Sequence, residues 1–262
     1  MRFFVLMWLC MLFTSAASAQ SVFIEDLTWT EVQDAIEKGS TTAIYYAGST
    51  EQNGPHMATG KHNFIARHVA ERIALKLGNA LVYPILPFAP TGSIEGRTGH
   101  MRYPGSVSLS EGTYVAVARD VAASARAAGF RTILIMADHG DGQTALANLA
   151  DVLNSQWHAK GVQVFYIGDL HDRYGQLEQE LLAKQRLNAG GHAGLADTAS
   201  LMAVDKARLW VRPAAMKQAV RSAEVEGDPS SASAALGRRL VDLKVDTALR
   251  QIRALLAQPR RP

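Results

Sequence analysis

The alternation of short apolar runs with amphipathic stretches narrows the fold more than any other feature of this chain. Residues 42–47 (TAIYYA), 81–88, 132–136 (TILIM) and 162–167 are rich in β-branched, aromatic and aliphatic side chains and read as strands. Between them the period changes. Within 62–77, Phe64, Ile65, Ala70, Ile73, Ala74 and Leu77 recur at helical spacing, and Gly78 ends the run. Further helices are expected over 110–128, stopped by Gly129, from the loop 137–142 to His158, over the charged stretch 176–186, and over 230–256. Thr30-Glu31-Val32-Gln33 reads as a capping box opening a short early helix. Strands that are apolar without alternation are covered on both faces, and parallel neighbours need helical crossovers. The predicted fold class is therefore α/β, with a mostly parallel central sheet and helices on both sides. In such sheets ligands bind beyond the carboxyl ends of the strands.

The first nineteen residues do not belong to that pattern. Arg2 precedes an unbroken apolar run over 3–13, and Ala17-Ser18-Ala19 forms a small-residue cleavage pattern before Gln20. This reads as a secretory signal peptide, because the run is too short for a membrane span of ~20 apolar residues. The expected product is an exported, periplasmic or secreted domain over 20–262, with no membrane association after cleavage. The single cysteine, Cys10, leaves with the leader. The domain then has neither a disulfide nor an all-sulfur zinc site. Lysine and arginine total 27 against 24 aspartates and glutamates, and the excess of +3 is not clustered. That excludes the basic face of a nucleic-acid partner. No Gly-x-Gly-x-x-Gly opens a helix after the first strand, and no Gly-x-Ser-x-Gly is present.

Three polar loops fall where the fold would place a site. They are Gly48-Ser49-Thr50-Glu51-Gln52-Asn53-Gly54-Pro55-His56 running on to His62, then Ala137-Asp138-His139-Gly140-Asp141-Gly142, then Gly191-His192-Ala193-Gly194-Leu195-Ala196-Asp197-Thr198. Carboxylate and imidazole together are a ligand set for zinc, manganese or iron. Singly, each of these residues is as well explained by a solvated loop. The longer text is more specific. GSTEQNGPHMATGKH resembles the opening motif of the creatininase family of amidohydrolases, written around Glu-Gln-His-Gly-Pro-His-Leu. TGSIEGRTGHMRYPGSVSLS, ILIMADHGDGQ and GGHAGLADTASLMA are similar to its next three motifs, in family order.

The resemblance implies a three-layer α/β/α sandwich, a metal-dependent hydrolase of C–N bonds and a homo-oligomer, often a hexamer. Its substrate would be a small amide, cyclic amide or formamide. Glu51 and His139 fall on metal-ligand positions and keep the family residue. Asp141 falls where some members place a glutamate ligand, and either completes the shell or acts as general base. Two positions depart: Asn53 stands for a ligand histidine and His62 for a bridging aspartate. Imidazole does not bridge as carboxylate does, so the expectation is one divalent ion rather than two, held by Glu51, His62 and His139. His192 matches the family's active-site histidine, and Asp197 would orient it or close the metal shell. Asn53 and His100 are candidate substrate contacts, each also readable as loop structure. Asp138 reads as a cap of the following turn and stays outside this set. The changes at Asn53 and His62 leave open a secreted binding protein without catalysis, and a deformylase or peptidase is the third alternative.

Overall fold

The computed structural model describes residues 21–258. The leader expected over 1–19 lies outside the described residues. Four strands form one sheet: β1 (Thr42–Ala47), β2 (Ala80–Val82), β3 (Thr132–Ala137) and β4 (Gln163–Tyr166). Their order is β2-β1-β3-β4 and every pairing is parallel. The long β1–β3 ladder runs from Thr42 opposite Thr132 to Ala47 opposite Ala137, so both strands end side by side.

Strand alternation sorts the core into two layers. Ile44, Tyr46, Leu134 and Met136 point to one face, where they meet α2 (Lys61–Leu77), α6 (Leu195–Val204) and α8 (Ala234–Leu256). Ala43, Tyr45, Ile133 and Ile135 point to the other, against α3 (Glu111–Ala128) and α4 (Gln143–Trp157), with α1 (Trp29–Glu37) at its margin. Both faces are therefore covered, as the unbroken apolar strands require. α5 (Asp172–Ala183) and the single-turn α7 (Met216–Ala219) complete the helices among the described residues.

Several expected elements shift. The capping box of α1 is built on Thr28, whose side chain takes the Glu31 N–H while Glu31 returns to the Thr28 N–H, so Thr30 is already helical. The second strand is three residues rather than eight, because Pro84 and Pro87 have no N–H for the ladder. Its chain still follows β1 through Tyr83 N–H to Ile44 O at 2.9 Å and Leu86 N–H to Tyr46 O at 3.1 Å. α5 begins at Asp172, ahead of the expected start at 176. α6 occupies what was read as the end of a polar loop. It is buried nearly all round, so it carries no polar face to betray its period. α6 packs so closely on α8 that a methyl at Gly237 would overlap the Ala199 carbonyl.

Candidate active site

The carboxyl ends of β1 and β3 launch the loops that build the site. After Ala47 the chain runs through Ser49 to Glu51, which is fully buried. Ser49 Oγ donates to Glu51 Oε2 at 2.7 Å, and the Glu51 N–H bonds Thr59 O at 3.0 Å. His62 sits in the first turn of α2 and His139 two residues past β3. Their rings take opposite oxygens of Glu51: His62 Nε2 lies 3.1 Å from Oε1, and His139 Nε2 lies 2.8 Å from Oε2. The three residues are buried and offer donor atoms all within 4.8 Å of one another. Glu51 is also approached by His192 Nδ1 at 3.7 Å and His100 Nε2 at 3.9 Å, both to Oε1. Gln52 fixes those two rings. Its side-chain Oε1 accepts the Gly54 N–H at 2.9 Å, which turns Nε2 to donate to His100 Nδ1 at 3.0 Å, and its backbone carbonyl accepts the His192 Nε2–H at 2.9 Å, which leaves His192 Nδ1 without a proton.

Behind the cluster lie two buried lysine–carboxylate pairs. Lys244 Nζ from α8 donates to Asp138 Oδ1 at 2.7 Å, and Asp138 Oδ2 is 2.7 Å from His62 Nδ1. Lys61, adjacent to His62, donates to Asp197, which also accepts the Ala193 N–H at 2.9 Å. Together these groups line a cavity of about 410 Å³, with Tyr174 and Glu178 of α5 on its far wall.

The electrostatics follow from burial and from which groups have a cation. Burial opposes ionisation of Glu51, but hydrogen bonds from His139 and His62 outweigh it and hold the carboxyl far below its usual range. Burial likewise opposes Asp138, and Lys244 with His62 outweighs it in the same direction. For Asp197 burial is overcome by Lys61, and its pKa falls to about 2. His62 is pushed down by burial and by Lys61, yet Asp138 and Glu51 leave it raised on balance. His192 has no such carboxylate contact. Burial and the Lys61 charge push it down to about 4, so it is uncharged at neutral pH.

The predicted residues divide accordingly. Glu51, His62, His139, His100, His192 and Asp197 converge on the one cavity, and Asp141 lines its rim. Asp141 is exposed and outside both 4.8 Å groups, Glu51 with His62 and His139 and Glu51 with His100 and His192, because the turn through Gly140 and Gly142 (φ +81°) carries it outward, so of its two expected roles this position suits a general base at the rim better than a metal ligand. Asp197 neither joins either group nor bonds His192, since Lys61 and the Ala193 N–H engage its Oδ2. Asn53 does not line the cavity. Its Nδ2 donates to the carbonyls of Glu51 at 3.0 Å and Ala58 at 3.2 Å, an arrangement that matches the loop-structure reading of this residue. His100 reaches the cavity from its own chain. Sequence reasoning passed over Asp138, Lys61, Lys244 and Gln52. A polar residue directly after a buried strand was the available signal for Asp138, whereas Lys244 lies 106 residues further on in a helix with no motif.

The donor set fits a divalent cation. Ligand atoms around a tetrahedral ion with bonds of ~2.0–2.2 Å stand roughly 3.3 Å apart, close to the Glu51 separations above. A carboxylate on the remote nitrogen of a ligating histidine is also the usual support for such a site. The Asp141 N–H lies 3.1 Å from His139 Nδ1, which leaves the ring proton on Nε2; a metal at Nε2 would replace that proton and need this bond to open.

A parallel α/β sheet with a buried carboxylate–imidazole cluster beyond its strand ends defines an α/β protein with a candidate hydrolytic metal centre. The family model for creatinine amidohydrolase (creatininase) matches residues 25–252. A creatinine amidohydrolase of Pseudomonas putida is 24% identical over 193 residues, spanning 71% of this chain and 73% of its own. A mycofactocin precursor peptide peptidase of Mycobacterium tuberculosis is 28% identical over 232 residues, 84% of this chain and 88% of its own. Among solved structures, a Zn–Zn type creatininase variant superimposes with a TM-score of 0.71 at 21% identity, covering 92% of this chain and all of the other. A manganese creatininase gives 0.68 at 21% identity, covering 91% and 100%. The chain belongs to the creatininase family, and is a divergent member of it. It is accordingly a creatininase-family hydrolase acting on C–N bonds.

Proposed function

We propose that this protein is an exported hydrolase of a small amide, cyclic amide or formamide, and that Glu51, His62 and His139 hold one divalent ion for it. The observation that carries this reading is the wholly buried Glu51 carboxylate, gripped on both oxygens by imidazoles, one of which is backed by Asp138. Zinc and manganese are the first candidates, because solved creatininases are described with each; iron shares the ligand chemistry. Two donor groups share Glu51, one with His62 and His139 and one with His100 and His192, and neither contains Asn53 or Asp141; one ion is assigned to the first because all three of its residues are buried, whereas His100 and His192 are only half-buried.

A bound divalent ion supplies Lewis acidity at the substrate carbonyl and its attacking water. The chain supplies the rest. His192, uncharged at neutral pH, presents Nδ1 beside Glu51 and takes a proton there from the attacking water. It returns that proton to the leaving nitrogen as the C–N bond breaks. His100, whose ring centre is 4.4 Å from that of His192, closes the same wall and positions substrate. Asp197 stays ionised beside Lys61 and faces the cavity as a hydrogen-bond acceptor for a substrate N–H.

The test uses the purified mature chain and its Glu51→Gln variant. Expected are about one equivalent of metal, loss of turnover with chelator, and loss of both metal and turnover in Glu51→Gln. A panel of cyclic amides, formamides and short peptides then separates the substrate classes, the peptides being included because of the peptidase relative. A chain that takes up no metal and is unaffected by chelator overturns the reading in favour of a binding protein; two fully occupied ions overturn the single-ion version. Export rests on the leader alone, and is tested by whether the periplasmic product begins at Gln20. The resemblance also makes the working form a homo-oligomer, which light scattering measures.

A further inference from the structure

We propose that Lys244 and Asp138 are positioning residues that fix His62 as a metal ligand from behind, a role that rests on the metal reading above. The chain of contacts is continuous. Lys244 Nζ donates to Asp138 Oδ1 at 2.7 Å, Tyr46 OH donates to the same oxygen at 3.3 Å, and Asp138 Oδ2 receives His62 Nδ1–H at 2.7 Å. Both carboxylate oxygens are therefore engaged, which fixes the plane of the group. His62 Nδ1 is committed to Asp138, so Nε2 is the nitrogen left to face Glu51 Oε1 at 3.1 Å.

The lysine is the member that needs explaining. It reaches the sheet from α8, and its ammonium lies 4.9 Å from the centre of the Tyr174 ring. The Asp138 side chain is 3% exposed and the Lys244 side chain 14%. A carboxylate so deeply buried beside only a phenol and an imidazole would be costly to keep ionised. Lys244 supplies the fixed cation that keeps Asp138 an acceptor, and Asp138 in turn holds the His62 ring in one tautomer and one orientation. His62 stands where the family resemblance places a bridging aspartate. An imidazole there needs a partner behind it that a bridging carboxylate does not, and these two residues provide it.

The experiment measures zinc affinity by competition with a chromophoric chelator, for the mature chain and for Asp138→Asn, Lys244→Met and the double variant. Circular dichroism confirms folding, and Lys244→Gln, which keeps an N–H donor without the charge, stands in if Lys244→Met does not fold. Asp138→Asn is expected to weaken zinc binding by about 10–100-fold, the usual cost of losing such a partner. Lys244→Met should weaken it in the same direction. In the Asp138→Asn background the lysine change should add almost nothing, because it acts through Asp138. Folded Lys244 variants that bind zinc as the parent does, or losses that add in the double variant, overturn the proposal while leaving the metal reading intact. A parent chain that binds no zinc overturns both.

Discussion

Asp197→Asn isolates the cost of an unpaired buried lysine. Asp197 is the one ion-pair partner of Lys61 among the described residues, and the Lys61 side chain is 1% exposed. Breaking a fully buried pair costs about 3–5 kcal/mol, since the remaining charge is stranded. Water reaches the Asp197 side chain, which is 31% exposed, and this lowers the figure. The pKa gives a second route. Asp197 stands at about 2 against an ordinary 3.8, which corresponds to about 2 kcal/mol of differential stabilisation. Together these place the loss at about 2–4 kcal/mol, or roughly 4–16 °C in Tm for a domain of this size. The sign of the pH effect follows. A depressed carboxylate stabilises fully above its unfolded pKa and loses that contribution as pH falls through the folded value. The parent should therefore lose this increment between about pH 4 and pH 2, while the variant, which keeps its other depressed carboxylates, falls less steeply in that window. Thermal melts of both chains at pH 7 and down the acid series are the assay. Lys61→Met should cost less than Asp197→Asn, because the carboxylate left behind is hydrated, and the double variant should recover part of the loss. An Asp197→Asn chain with an unchanged Tm at pH 7, or one costing less than Lys61→Met, refutes the reasoning.

Three further outcomes can be checked on the same instruments. Gly237→Ala puts a methyl into the Ala199 carbonyl where α6 crosses α8, and should destabilise by at least the ~1–3 kcal/mol of ordinary overpacking, read as a lower urea midpoint. Asn53→Ala strips the Glu51 and Ala58 carbonyls of a buried donor and should cost about 1–3 kcal/mol with KM for the best panel substrate unchanged; a shifted KM at unchanged Tm would return Asn53 to substrate binding. Burial holds the His56 pKa below its ordinary 6.5, with Nε2 on Thr198 Oγ1 at 2.9 Å, so this residue stabilises above that value and loses its contribution as pH falls below it. His56→Gln should therefore flatten Tm against pH below about 6.5 relative to the parent, and parallel curves would show that His56 is not the group responsible.

The parts of this molecule legible in the sequence are those with a local cause. β1 and β3 are apolar runs with no competing period, and Gly78 and Gly129 do stop α2 and α3. Glu51 and His139 sit in loops that follow β1 and β3, so the pattern that predicts the sheet also gathers them; His62 opens α2 and His192 lies between α5 and α6, and it is their motifs that mark them. What escaped was set by distance. Whether Asn53 points at substrate or at the backbone of its own loop depends on how residues 48–61 close, and no spacing encodes that closure. Asp138 looks like a turn cap until α8 delivers Lys244 beside it. α6 is buried on nearly every side, its polar residues included, so no exposed face announces it, and β2 is cut short by prolines whose effect depends on the neighbouring ladder.

Counter-charge explains the differing fates of four of the five carboxylates that line one cavity. Asp138 and Asp197 each have a lysine and lie below their ordinary range. Glu178 accepts a hydrogen bond from the Tyr174 hydroxyl, and burial raises it. Glu51 is the most buried, yet no lysine pairs with it among the described residues; its contacts are Ser49 Oγ and imidazoles. Hydrogen bonds from those groups favour its ionised form, and a cation among them would do so more strongly. His192 shows what the protein does with an imidazole beside Lys61 and without a carboxylate hydrogen bond: it leaves it neutral. Protonating both His62 and His139 would bring two like charges into contact, with ring centres 5.3 Å apart. One divalent cation on neutral rings satisfies Glu51 without that repulsion, and the lysines, already spent on Asp138 and Asp197, leave Glu51 as the carboxylate for it to bind.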